Sequence, residues 1–135
     1  IWDETAWHDR LAADIALEQA QAGDIVINEI LANPLNGGQD FIELYNRSTK
    51  VIDLKDWQIA NFYNDTISNL KTISNHFILE PNSYVAISED TSFLLENYPA
   101  SISEFVIRFP QACPSKYYFR ILWMDPFYSF LDFYY

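Results

Sequence analysis

"DIVINEILANPLNGGQDFIELYN", Asp24–Asn46, sets two apolar runs either side of a turn-rich loop. "IVINEIL" and "FIELYN" each have the length and β-branched or aromatic content of a strand. Between them, Asn33-Pro34 and Asn36-Gly37-Gly38 break any regular element. Strand side chains alternate, so Ile42 and Leu44 share one face and Phe41, Glu43 and Tyr45 the other. The same count puts Glu29 on the face of Ile25 and Ile27. If the strands pair, two carboxylates, Glu29 and Glu43, come close together.

Two close carboxylates have three readings. They can be structural, at a sheet edge or facing water. They can bind a cation such as Ca²⁺, with Asp24 and Asp40 adding oxygen ligands. Or they can be a catalytic acid pair, which also needs a cleft and a substrate wall. Structural use is the commonest, and no cleft can be read from the sequence.

The pattern of short runs continues downstream. "DWQIANF" reads as a strand around Trp57 and Ile59. "YNDTISNLKTISN" is polar and irregular, with Ile67 and Leu70 as anchors. "HFILEPNSYVAISED" reads as a hairpin turning at Glu80-Pro81-Asn82-Ser83, with Val85 and Ile87 on one face. "TSFLLENYPA" suggests one helical turn, "EFVIRF" a strand, and "FRILWMDPFYSFLDFYY" two strands around Asp125-Pro126. About seven short strands at this spacing indicate a sandwich or barrel. No helices alternate with them, which excludes a parallel βαβ fold.

Ile1–Gln21 has a different composition, rich in Ala, Leu and Glu. Trp7, Leu11 and Ile15 recur at helical spacing. Asp3 or Thr5 suits the helix start, and Gly23 its end. The expected division is a helix or linker over 1–22 and a β-domain over 23–135.

The chain has 135 residues, half of them apolar, enough for one domain with a real core. A net charge of −11 argues against nucleic acid, whose phosphates demand Lys and Arg, and against anionic lipid. No apolar run is long enough for a membrane helix. The lone Cys113 permits no internal disulfide. An opening Ile1, with no secretory signal, reads as a fragment or processed product. His8 and His76 lack ligand spacing for zinc. Gly37-Gly38 is a turn, not a phosphate loop, and no nucleophile elbow occurs. Asn46-Arg47-Ser48 and Asn64-Asp65-Thr66 match the glycosylation triplet. The aromatic stretch Tyr117–Tyr135 reads as core and rim filling.

Ile27-Asn28-Glu29-Ile30, Phe41-Ile42-Glu43-Leu44-Tyr45-Asn46, Val51-Ile52-Asp53-Leu54 and Asp56-Trp57-Gln58-Ile59 together resemble the opening of a lamin tail domain. "ILEPNSYVAISED" is similar to that family's next hairpin, with Asn82 where Gly is usual. "ILWMDPFYSFLDFYY" is similar to its closing strands. The resemblance implies an all-β, immunoglobulin-like antiparallel β-sandwich with a short N-terminal helix or linker. It implies that Trp57 is the core tryptophan, in a core shared with Ile27, Ile42, Leu44, Ile59, Val85 and Ile87, and that Glu29 and Glu43 are framework positions. It also implies a non-catalytic module, extracellular or at the cell surface, in a larger multidomain chain of the bacterial branch. The expected partner is a protein or cell-envelope component, met through loops 32–39 and 61–75, with Asn33, Asn36 and Asp65 as contacts. No cofactor is expected. The alternative is a Ca²⁺- or carbohydrate-binding accessory to a secreted hydrolase.

Overall fold

The computed structural model describes residues 3–14, 17–31, 41–88, 90–98, 106–108, 119–122 and 130–131. Helix α1 spans Glu4–Asp14, and α2 spans Thr91–Asn97. The strands are β1 (Ile25–Leu31), β2 (Phe41–Asn46), β3 (Ile52–Asp53), β4 (Gln58–Tyr63), β5 (Thr66–Thr72), β6 (Ile78–Leu79), β7 (Tyr84–Ser88), β8 (Val106–Arg108), β9 (Phe119–Leu122) and β10 (Phe130–Leu131). Among the described residues they form a sheet in the order β1-β2-β7-β8, a sheet in the order β10-β9-β4-β5, and the ladder β3-β6. Pairing is antiparallel except between β7 and β8, which run parallel. The mostly β, immunoglobulin-like architecture with a short N-terminal helix is the one expected, with that one parallel pair added.

One apolar cluster joins all three sheets. Ile25, Ile42, Leu44, Val85 and Ile87 come from the first sheet, Ile52 and Leu79 from the ladder, and Ile59 from the second sheet. Trp57, only 1% exposed, sits in this cluster, and Ile27 packs partly buried against it. Burial of an indole and so many branched side chains is the main favourable term in such a domain.

Local expectations fail in four places. Helix α1 stops by Asp14, and Glu18–Ala20 runs along the sandwich instead. There the Glu18 N–H donates to the Val51 carbonyl and Ala20 is buried. Glu18 and Gln19 break the helical stripe, while a buried Ala20 rewards an extended path. Gly23, at φ +87°, does not close the helix but turns the chain into β1. Asp3 does cap the helix start, its Oδ1 accepting from the Ala6 N–H at 3.1 Å.

The polar stretch after Tyr63 is also not irregular. Asn64 and Asp65 both adopt positive φ, 47° and 57°, the geometry of a two-residue hairpin turn. They join β4 to the edge strand β5, whose Ile67 and Leu70 are exposed rather than anchored.

Residues 77–88 are a corner, not a hairpin. β6 pairs with β3, whereas β7 pairs with β2 and β8. The turn itself is as expected, with the Ser83 N–H donating to the Glu80 carbonyl. Asn82 stands in the left-handed region at φ 58°, which Asn tolerates better than other side chains do.

Last, β1 carries a bulge. Ile27 pairs with Leu44 but Glu29 pairs with Glu43, so Asn28 is the additional residue. The bulge reverses the alternation, and Glu29 leaves the face of Ile25 and Ile27 for the solvent side.

Candidate interaction face

The outer face of the first sheet gathers the polar and aromatic residues that β1, β2 and β7 turn away from the core. Ile42 and Leu44 go inward, so Phe41, Glu43 and Tyr45 go outward. Glu43 stands directly across from Glu29 on one side and from Ala86 on the other. One rung along, Tyr45 stands between Val26 and Tyr84. The upper end of the face is closed, because Phe41 is buried with Tyr98 edge-on at 5.6 Å. Further along, Glu43 and Tyr45 are half-buried and Tyr84 is 45% exposed.

Tyr45 and Tyr84 stack at 4.5 Å between centroids, with an interplanar angle of 23°. The Tyr45 hydroxyl donates to Asn82 Oδ1 at 3.1 Å, which fixes the ring to the corner. Glu29 is exposed and Glu43 half-buried. Like charges directly across a strand pair cost a few tenths of a kcal/mol. The bulged Asn28 offsets this by donating its Nδ2 to Glu43 Oε1 at 2.7 Å.

Of the proposed cation ligands, Asp24 is held apart from Glu29 and Glu43. Asp24 precedes β1, five positions from Glu29, a separation of about 16 Å along an extended strand. Its Oδ2 accepts from Lys50 Nζ and from the Gln21 N–H, each at 2.8 Å. Burial pushes the Asp24 carboxyl up, but these hydrogen bonds and the charges of Lys50 and Arg47 outweigh it and hold the group below the usual carboxylate value. Asp40, Asn33 and Asn36 lie outside the described residues. Asp65 lies exposed at the β4–β5 turn, in the other sheet. Among the described residues, no three His, Cys, Asp or Glu side chains are placed to hold a metal ion.

A cavity of about 240 Å³ lies between Leu17–Ala20 and the residues Ile52, Asp53 and Trp57. Asn46, the first residue of a glycosylation triplet, is wholly buried, and its side chain donates to the carbonyls of Lys50, Leu79 and Glu80.

One grouping is invisible in the sequence. The fold pairs His76 with Asp53 and brings His8 within the electrostatic reach of the same carboxylate. His76 Nδ1 lies 2.6 Å from Asp53 Oδ2, and Asp53 Oδ1 accepts from the Phe77 and Lys55 N–H groups. His8 Nδ1 accepts from the Ile78 N–H at 2.8 Å. Burial lowers the His8 pKa, against the opposing charges of Asp53 and Asp9. No local spacing signals this group, since His8 and Ile78 are 70 residues apart.

Residues 18–109 match the model of the family described as the lamin tail domain. The match takes in β1 to β8 and leaves α1, β9 and β10 outside it. No curated protein matches the chain.

Proposed function

The chain belongs to the lamin tail domain family, and from that premise we propose that it is a non-catalytic interaction module of a larger secreted or cell-surface protein. The bacterial branch of the family is the setting this reading takes. The module's role is adhesion, tethering or spacing, with a protein or cell-envelope component as partner. The observation that carries the reading is the Tyr45–Tyr84 stack beside the facing Glu29 and Glu43, on the outer side of a sheet whose inner side is locked into the core. Tyrosine supplies large contact area at low entropic cost, and the carboxylates favour a partner carrying Lys or Arg there. The overall charge of −11 steers in the same direction.

The test is site-specific photocrosslinking in the parent protein on intact cells. A crosslinker at Tyr84 or Glu29 should capture one discrete partner. One at Thr66, in the other sheet, should not. Equal capture from both faces, or none from Tyr84 and Glu29, would refute this assignment. The Ca²⁺- or carbohydrate-binding alternative uses the same face. It requires that Ca²⁺ raise the melting temperature and that Glu43→Gln abolish the rise.

A further inference from the structure

Helix α1 lies outside the family-matched segment, yet it is held to the sandwich by a buried side chain. His8 is 3% exposed. Its ring stacks on Phe77 at 4.3 Å and meets Trp7 edge-on at 4.8 Å. Its Nδ1 accepts the Ile78 N–H, so the neutral ring carries its proton on Nε2. That Nε2 is buried without a hydrogen-bond partner. The imidazole thus spends its one strong polar contact as an acceptor, and burial works against its charged form.

We propose that His8 is an acid-released latch, holding α1 against β6 when neutral and letting the helix go when protonated. A second proton has only Nδ1 to occupy. There it confronts the Ile78 N–H and replaces an attraction with a repulsion. Release frees the Ile78 N–H and uncovers the Phe77 ring, giving the domain an acid-exposed apolar spot beside the β3–β6 ladder.

The charged groups facing His8 set the direction. Asp9 on α1 and Asp53 on β3 both favour the protonated ring, but burial outweighs them. His76, from the segment before β6, is paired with Asp53. The folded pKa of His8 therefore lies below its free value. Docking is complete above the free value and weakens by about tenfold per pH unit as pH falls from there to the docked value.

The experiment is hydrogen exchange on the full chain, as protection factors, from about pH 7.5 to about pH 5. The α1 amides and the Ile78 amide should lose protection together, by about tenfold per pH unit, over the interval that opens at the free imidazole value and closes where the docked His8 ring titrates. The Ile42 and Val85 amides should keep theirs. His8→Phe retains the stacking and removes the proton, so α1 protection becomes independent of pH. His76→Gln keeps the dependence. Three results would overturn the latch: α1 protection flat with pH in the wild type, loss at Ile42 and Val85 in step with α1, or a pH dependence that survives His8→Phe. Should His8→Phe fail to fold, the wild type decides: α1 and Ile78 amides that lose protection over different pH ranges, or a docked His8 ring that titrates at or above the free imidazole value, refute the proposal.

Discussion

Asn46 offers the sharpest measure of what holds the corner between the sheets. It ends β2 with no exposed surface. Its Nδ2 donates to the carbonyls of Lys50 at 2.8 Å, Leu79 at 3.0 Å and Glu80 at 3.2 Å. Its Oδ1 accepts from the Ser48 N–H and hydroxyl. Its backbone bonds to Ser83 and Asn82. One amide thereby ties the end of β2 and the loop after it to the chain that crosses from β6 to β7. Asn46→Ala strands the buried Leu79 carbonyl at about 1–3 kcal/mol and weakens partly hydrated contacts at about 0.5–1 kcal/mol each. The expected sum is about 3 kcal/mol, a large share of the ~5–15 kcal/mol available to a domain. Asn46→Asp has nearly the same shape but turns an anionic oxygen toward three carbonyls. It should cost about 4 kcal/mol at neutral pH. The introduced carboxyl, with its folded pKa raised by burial, should regain part of that as pH falls and it protonates to become a donor. Urea unfolding followed by tryptophan fluorescence gives both numbers as shifts in midpoint at unchanged slope. An Asp variant within about 1 kcal/mol of wild type, or one no worse in neutral than in acid solution, would refute the clamp.

Two further outcomes follow from local geometry. Asp65→Gly should stabilise by about 0.5–1 kcal/mol, because Gly adopts the positive φ of that turn without a Cβ penalty, and a thermal melt with a lower midpoint would contradict the assigned turn. Asp24→Asn should cost at most about 1 kcal/mol at neutral pH. Because the Asp24 pKa is depressed on folding, that stability is present above the ordinary carboxylate value and lost as pH falls through the folded one, so wild type and variant should converge in acid.

What could be read from the sequence follows the physics of each element. β1 and β2 were legible to the residue because both present β-branched and aromatic residues between turn formers. Trp57 was legible as core through the family resemblance. β5 was not legible, because an edge strand with Ile67 and Leu70 exposed has no buried stripe to betray it. Its one signal was the Asn64-Asp65 pair, which suits positive φ. The β6–β7 corner was misread because a turn motif fixes a reversal but not the sheet each arm joins. That choice rests on partners far away in sequence, Ile52–Asp53 for one arm and Phe41–Tyr45 for the other. His8 reaches the Ile78 N–H only because α1 docks, which no spacing records.

The candidate face itself depends on a feature with no sequence mark. Strict alternation along β1 would send Glu29 inward with Ile25 and Ile27 and leave Ile30 in water. A one-residue insertion exchanges those fates, because strand side chains have a period of two. With Asn28 bulged, Ile27 and Ile30 both pack against the core, and Glu29 swings out to face Glu43. The same residue then lends its amide to Glu43. The bulge thus avoids a buried carboxylate on the inner side and moderates a repulsive pair on the outer side. A domain needing only to fold could put any neutral polar residue at 29 and 43. On the proposed reading, two acids held face to face beside the Tyr45–Tyr84 stack are a surface whose repulsion a partner's Lys or Arg would relieve.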